Sequence, residues 1–123
     1  MEQLVIVFLG GGLGSCSRFL IAQTIGYYFP HPFPMGTLTV NVLGCFLIGV
    51  IFGIVDKFHL HFYLNLLFVT GFCGGFTTFS SFAFENIIHI RNDDHLISLS
   101  YILMSLLWGF AATFLGAWLI ERI

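Results

Sequence analysis

An all-α membrane protein of four transmembrane helices, the third broken near the midplane, is the fold class this sequence predicts. Three observations predict it. Only 8% of the 123 residues are charged and 58% are hydrophobic, with a mean hydropathy of +0.98. A soluble domain carries about 25% charge, so this chain lacks the polar surface for a water-facing shell. Four apolar runs can each cross a hydrocarbon core of about 30 Å, which takes roughly 20 residues. The third run is interrupted by residues 71–82, Gly-Phe-Cys-Gly-Gly-Phe-Thr-Thr-Phe-Ser-Ser-Phe. The length fits one domain, and the net charge of −2 speaks against a nucleic-acid partner.

The first span is expected over Gln3–Ile25. It is too long for a secretory leader and has no basic flank before it. Pro30-His-Pro-Phe-Pro34 follows as a stiff link, because its prolines hold the chain extended. The second span covers Thr37–Val55, and Asp56–Phe62 links it to the third. The third, Tyr63–Ile90, would reach about 42 Å as one continuous helix. That exceeds the membrane core, so it tilts, protrudes or breaks. Gly74-Gly75 and Thr77-Thr78 mark the place of a break, with two half-helices meeting at an unwound turn, the arrangement that forms ion sites in transporters. Asn92-Asp93-Asp94-His95 leads into the fourth span, Leu96–Ile120. Cys16, Cys45 and Cys73 are far apart in sequence, and each reads as a small buried residue.

Four spans put both termini on one side, with Lys57 and Arg122. The other side holds Arg91, joined by Arg18 if its side chain reaches the interface. Neither side is favoured by the positive-inside rule. A small sample of charges explains that; so does insertion in both orientations, which suits an antiparallel dual-topology homodimer. Gly10-xxx-Gly14, Gly11-xxx-Ser15 and Gly49-xxx-Gly53 let helix backbones approach closely. A four-helix monomer has little interior, so these patterns favour association with a second copy.

Polar groups inside a membrane are functional candidates. Asn41, early in the second span, offers an amide for either a helix–helix bond or an ion. Arg18 either snorkels to the interface or bonds a carbonyl. Glu85 is an interfacial carboxylate or faces a water-filled vestibule. Phe76, Phe79 and Phe82 share one helix face. Such a stripe ordinarily serves packing, but here Thr77, Thr78, Ser80 and Ser81 surround it. Ring edges carry partial positive charge, so phenylalanine edges, hydroxyls and an Asn amide can hold a small anion without a full countercharge. Weak neutral partners also release it, which conduction requires. Walker, GxSxG and HExxH patterns are absent, and no enzyme is read.

These residues resemble a known family. Gly11-Gly12-Leu13-Gly14-Ser15 with Arg18-Phe19, then Gly36-Thr37-Leu38 with Asn41 and Gly44, and above all Gly71–Phe82 are similar to the helix motifs of the bacterial fluoride channels, the Fluc or CrcB family. The resemblance implies an antiparallel homodimer with two pores in the bacterial plasma (inner) membrane, exporting fluoride passively. It implies a pore of Phe79, Phe82 and Asn41, with the hydroxyls of Ser80 and Ser81. It also implies a structural sodium ion at the dimer centre, held by the backbone carbonyls of Gly74 and Thr77 from both subunits. A polar track on the fourth helix falls on Tyr101 and Ser105. Its next hydroxyl position is Gly109 here, with Thr113 one turn further. The alternative is a small four-helix proton-coupled multidrug exporter, which needs a membrane-embedded carboxylate that the interior of the first helix lacks. A third reading, a structural membrane subunit, leaves the polar broken helix without a reason.

Overall fold

The computed structural model describes residues 1–59 and 61–123. The described residues are helical with short links: α1 (Glu2–Tyr28), α2 (Met35–Phe58), α3 (Phe62–Asn65), a π-helical stretch π1 (Leu66–Cys73), α4 (Gly74–Phe76), α5 (Phe79–Arg91) and α6 (His95–Arg122). Four of the resulting segments are long and apolar enough to cross a membrane, namely Glu2–Tyr28, Met35–Phe58, Phe62–Arg91 and His95–Arg122. The protein is a multi-pass membrane protein.

Helix ends follow from local chemistry. Phe29, held out of the helical region by the following Pro30, ends α1 at φ −126° and ψ 71°. Pro34 precedes α2, where its fixed φ suits a helix start. His59 closes α2 in the left-handed region at φ 48°, and Asp93 does the same between α5 and α6 at φ 60°. At the end that carries both chain termini, Lys57 Nζ donates to the Ile120 carbonyl at 3.3 Å. Arg122 lies 4.8 Å from the Trp118 ring centre. Both are interfacial anchors of α2 and α6.

Two glycine seams assemble the bundle. On α1, a Cβ at Gly10 would collide with the Leu67 carbonyl and one at Gly14 with the Phe72 carbonyl, so α1 lies backbone-to-backbone on π1. Between α2 and α6 the contact is mutual. A Cβ at Gly49 would meet the Thr113 carbonyl, and one at Gly116 the Phe46 carbonyl. The small-residue patterns therefore work inside the chain, and they are not free to join a second copy. The buried apolar core is correspondingly small: Leu38, Val40, Cys73, Phe76 and Tyr101. Cys16, expected to be buried, is exposed on α1, on a bundle whose outer surface is largely apolar.

The third segment departs from the simple picture of two α half-helices. Gly74 and Gly75 remain helical, and the chain leaves the helix only at Thr77 (φ −86°, ψ 156°) and Thr78 (φ −147°, ψ 117°). β-branched residues favour that extended geometry. Gly75 has a packing reason instead, since a Cβ there would strike the Gly11 carbonyl. The π1 stretch left no signature in the hydrophobic pattern.

Candidate ion pathway at the broken third segment

Breaking a membrane helix frees backbone groups that lipid cannot satisfy, and specific side chains take them up here. In a continuous helix the Thr78 amide would bond the Gly74 carbonyl. Instead it donates to Asn41 Oδ1 at 2.8 Å, while Asn41 Nδ2 donates to the Thr78 carbonyl at 3.1 Å. One Asn side chain thus pairs with both backbone groups of a buried residue, as a neighbouring strand would. Thr78 is also the N-cap of α5, its Oγ1 accepting from the Ser81 amide at 3.1 Å, a standard use of threonine at a helix start. The same hydroxyl lies 3.1 Å from Ser81 Oγ and 3.2 Å from Ser80 Oγ. Arg18 Nη1 donates to the Thr77 carbonyl at 3.5 Å.

A cavity of about 380 Å³ opens beside the break, walled in part by Asn41, Gly74, Thr77, Phe79, Phe82 and Ser105. The Phe79 and Phe82 rings lie 5.6 Å apart at 43°. Phe79 is 79% exposed, so one face of this cavity lacks a wall in the single chain. The Ser105 hydroxyl is buried without a protein partner among the described residues. Further along α6 the track stops: Gly109 has no hydroxyl, and that of Thr113 donates back to the Gly109 carbonyl at 3.0 Å.

On the other side of Thr78 lies a second cavity of about 350 Å³, lined by Arg18, Gln23, Thr37, Thr78 and Ser81 among others. The guanidinium and the N-terminal end of α5, which carries roughly half a positive charge, make it attractive to anions. Thr78 walls both cavities, and neither contains a carboxylate.

Tyr101 is placed differently from its neighbours on the expected track. It is fully buried, behind Phe82, with ring centres 5.0 Å apart at 62°. Its hydroxyl donates to Glu85 Oε2 at 2.8 Å, and Thr37 Oγ1 donates to Glu85 Oε1 at 2.6 Å. The structure therefore gathers Asn41, Phe79, Phe82, Ser105, Gly74 and Thr77 around one cavity and places Arg18 and Ser81 at the other. Ser80 touches neither cavity wall directly and is exposed. Sequence reasoning missed the capping role of Thr78 and the Thr37–Glu85–Tyr101 cluster. A threonine three residues before Ser81 was a readable N-cap signal; the cluster joins residues on three helices and had none.

A family profile described as CrcB-like protein, Camphor Resistance (CrcB), matches residues 5–117. The chain belongs to the CrcB family. Curated relatives cover it almost end to end. A protein from Gloeothece citriformis is 50% identical over 122 residues, 99% of each chain. One from Flavobacterium psychrophilum is 41% identical over 117 residues, 94% of each. One from Leptospira interrogans is 39% identical over 122 residues, covering 98% of this chain and 96% of its own. Each is named a fluoride-specific ion channel FluC, so these CrcB relatives are channels and not enzymes. All the motifs on Arg18, Asn41 and residues 71–82 lie within the stretch that the CrcB profile matches.

Proposed function

We propose that this CrcB chain forms a fluoride-selective channel through which the anion leaves the bacterial cytoplasm passively. The observation that carries the proposal is the pair of carboxylate-free cavities meeting at Thr78, one lined by Arg18 and a helix N-terminus, the other by an aromatic pair and a free hydroxyl. The name shared by its relatives identifies the anion. Arg18 and the α5 N-terminus draw an anion towards the break. There it exchanges water for the hydroxyl of Ser81 and the Nδ2 proton of Asn41 not used on Thr78. The positive edges of Phe79 and Phe82 and the Ser105 hydroxyl continue the path. Tyr101 supports it by holding Phe82 edge-on. Each partner is weak, so the ion leaves as readily as it arrives. Fluoride that entered as the neutral acid is trapped inside as the anion. An inside-negative potential expels it with about 2.3 kcal/mol per charge per 100 mV, and no coupling ion is required. A drug exporter would need its proton carrier in the first helix, where the only carboxylate is Glu2 at the very start.

In proteoliposomes, the purified protein should release fluoride and retain chloride; equal release of both would defeat the proposal. Phe79→Ile and Phe82→Ile should each lower fluoride release at least about tenfold, a rise of about 1.4 kcal/mol in the barrier height. Undiminished release in both would remove the ring edges from the path.

The functional unit in this reading is an antiparallel pair of copies. The open face at Phe79 calls for a wall that one chain does not supply. The charges at the two ends, Lys57 with Arg122 against Arg91, are too few and too even to favour one orientation. Gly74 and Thr77 give each copy two carbonyls that have lost their helical donors. Four such oxygens at the pair's centre suit sodium, a hard cation. No group of three acidic, His or Cys side chains among the described residues offers a metal a charged site. The fit is better at Gly74 than at Thr77, whose carbonyl already faces Arg18. Exchange of sodium for choline should shift detergent-solubilised protein from dimer towards monomer, as read by glutaraldehyde cross-linking. Identical cross-linking in both salts would speak against the ion.

A further inference from the structure

Thr78 ties α5 to the break at its first turn, and what fixes the rotation of the helix further along is polar. In the single chain only two residues of α5 are buried, Asn86 and His89. Apolar contact is non-directional and leaves a half-helix free to turn about its axis, whereas a hydrogen bond is directional. Asn86 makes two. Its Nδ2 donates to the Phe82 carbonyl at 2.8 Å, and its Oδ1 accepts from Ser98 Oγ of α6 at 2.8 Å. A carbonyl only accepts, which settles the orientation of the amide and makes Ser98 the donor between the helices. Asn86 is 6% exposed and Ser98 3%, so water does not compete for either group. His89, one turn on, makes no such bond. Its Nδ1 lies 3.8 Å from Asp94 Oδ2 and has no hydrogen-bond partner among the described residues.

We propose that the Asn86–Ser98 bond sets the phase and height of α5 against α6, which makes Asn86 and Ser98 positioning residues for Phe82 on the anion path. The inference rests on the channel reading and adds to it two residues that do not meet the ion, since neither lines the cavities at the break. Ser98, Tyr101 and Ser105 are spaced i, i+3 and i+7, so they share one face of α6. Phe82 and Asn86 are spaced i, i+4 and share a face of α5 in the same way. The two faces meet where Asn86 bonds Ser98 and where Phe82 rests on Tyr101, ring centres 5.0 Å apart. One turn further along α6, Ser105 walls the same cavity as Phe82. A contact between rings tolerates sliding. The hydrogen bond does not, because turning α5 by one residue, about 100°, carries the amide away from Ser98. Inside a membrane no water replaces the lost partner. The second bond of Asn86, to the Phe82 carbonyl, ties this point directly to the residue whose ring lines the path.

The test is fluoride release from proteoliposomes, measured per amount of folded protein. Ser98→Ala should lower release at least about threefold, the effect of losing one typical interhelical hydrogen bond in a membrane. Ser98→Thr keeps the hydroxyl and should release fluoride as the native chain does. In Phe82→Ile protein, adding Ser98→Ala should bring no further loss, because the ring it positions is gone. A bond that only held the fold together would cost the same in both backgrounds. Native release from folded Ser98→Ala would overturn the inference, and so would equal losses with and without Phe82. Should Ser98→Ala not fold, Ser98→Cys takes its place, with nearly the same shape and only a weak donor; undiminished release from it would count equally against the inference. A native chain that released no fluoride would defeat the channel reading and this inference together. Ordinary release from the native chain with unaffected Ser98 variants would defeat the inference alone.

Discussion

Gly14→Ala should leave little folded protein, whereas Gly12→Ala, two residues away on the same helix, should be tolerated. Alanine adds a single methyl group and improves intrinsic helix propensity by about 1 kcal/mol, so any loss must come from what the new carbon meets. At Gly14 it would lie 2.9 Å from the Phe76 amide nitrogen and 3.0 Å from the Phe72 carbonyl carbon, and closer still to the Phe72 oxygen. These are backbone atoms and cannot rotate away as a side chain would. The α1–π1 seam would have to open, and overpacking of a dry interface costs about 1–3 kcal/mol or more. Opening it also displaces Gly75 from Gly11 and, with it, the turn that leads into Thr77. At Gly12 nothing lies within 4 Å of the added carbon. Thermal unfolding and size-exclusion profiles in detergent read the difference. Equal behaviour of the two variants would mean that α1 and π1 are not in backbone contact.

The second large effect is expected at Asn41. Asn41→Leu keeps the volume and removes both hydrogen bonds to Thr78, a residue only 8% exposed. Each buried backbone group left unpaired costs about 1–3 kcal/mol, so the pair costs about 2–6 kcal/mol. The chain can avoid this by letting Thr78 return to the helix, which abolishes the break. Either outcome should stop fluoride release. Asn41→Asp separates support from conduction. Its oxygen still accepts from the Thr78 amide, so more of the stability survives, but a carboxylate now lines the aromatic cavity and repels anions. The expected result is an intermediate melting temperature with fluoride release as low as in Asn41→Leu. Normal release from Asn41→Leu would show that the break stands without this amide.

Much of the architecture was legible in advance because it depends on properties that are local. Transfer of apolar runs out of water marks the four spans, and prolines at 30, 32 and 34 mark the first link. Thr77 and Thr78 mark the place where a helix stops and restarts, whereas Gly74 and Gly75, expected at the same break, stay helical. The glycine spacing was legible as close contact but not as to its partner. The same pattern serves a seam within one chain or between two, and Gly10, Gly14, Gly49 and Gly116 are all used within. Asn41 carried two readings, support and ion ligand. Its two bonds to Thr78 make the support visible and leave one amide proton for an ion. Tyr101 was expected on a polar track beside Ser105, yet its hydroxyl turns to Glu85 and only Ser105 keeps a free one.

The sequence by itself determined the membrane class, the number of spans, the location of the break and, through residues 71–82, the family. Each of those is written in composition or in residues adjacent along the chain. Only the tertiary structure decided which side chains meet: Asn41 with Thr78, Glu85 with Thr37 and Tyr101, and the two cavities with Thr78 as their common wall. Such meetings depend on the rotational phase of every helix. In this chain the eight-residue π1 stretch, with its i→i+5 bonding, changes that phase directly ahead of the break. No local signal announced it, and the faces of the third segment could be assigned only once its turn was seen.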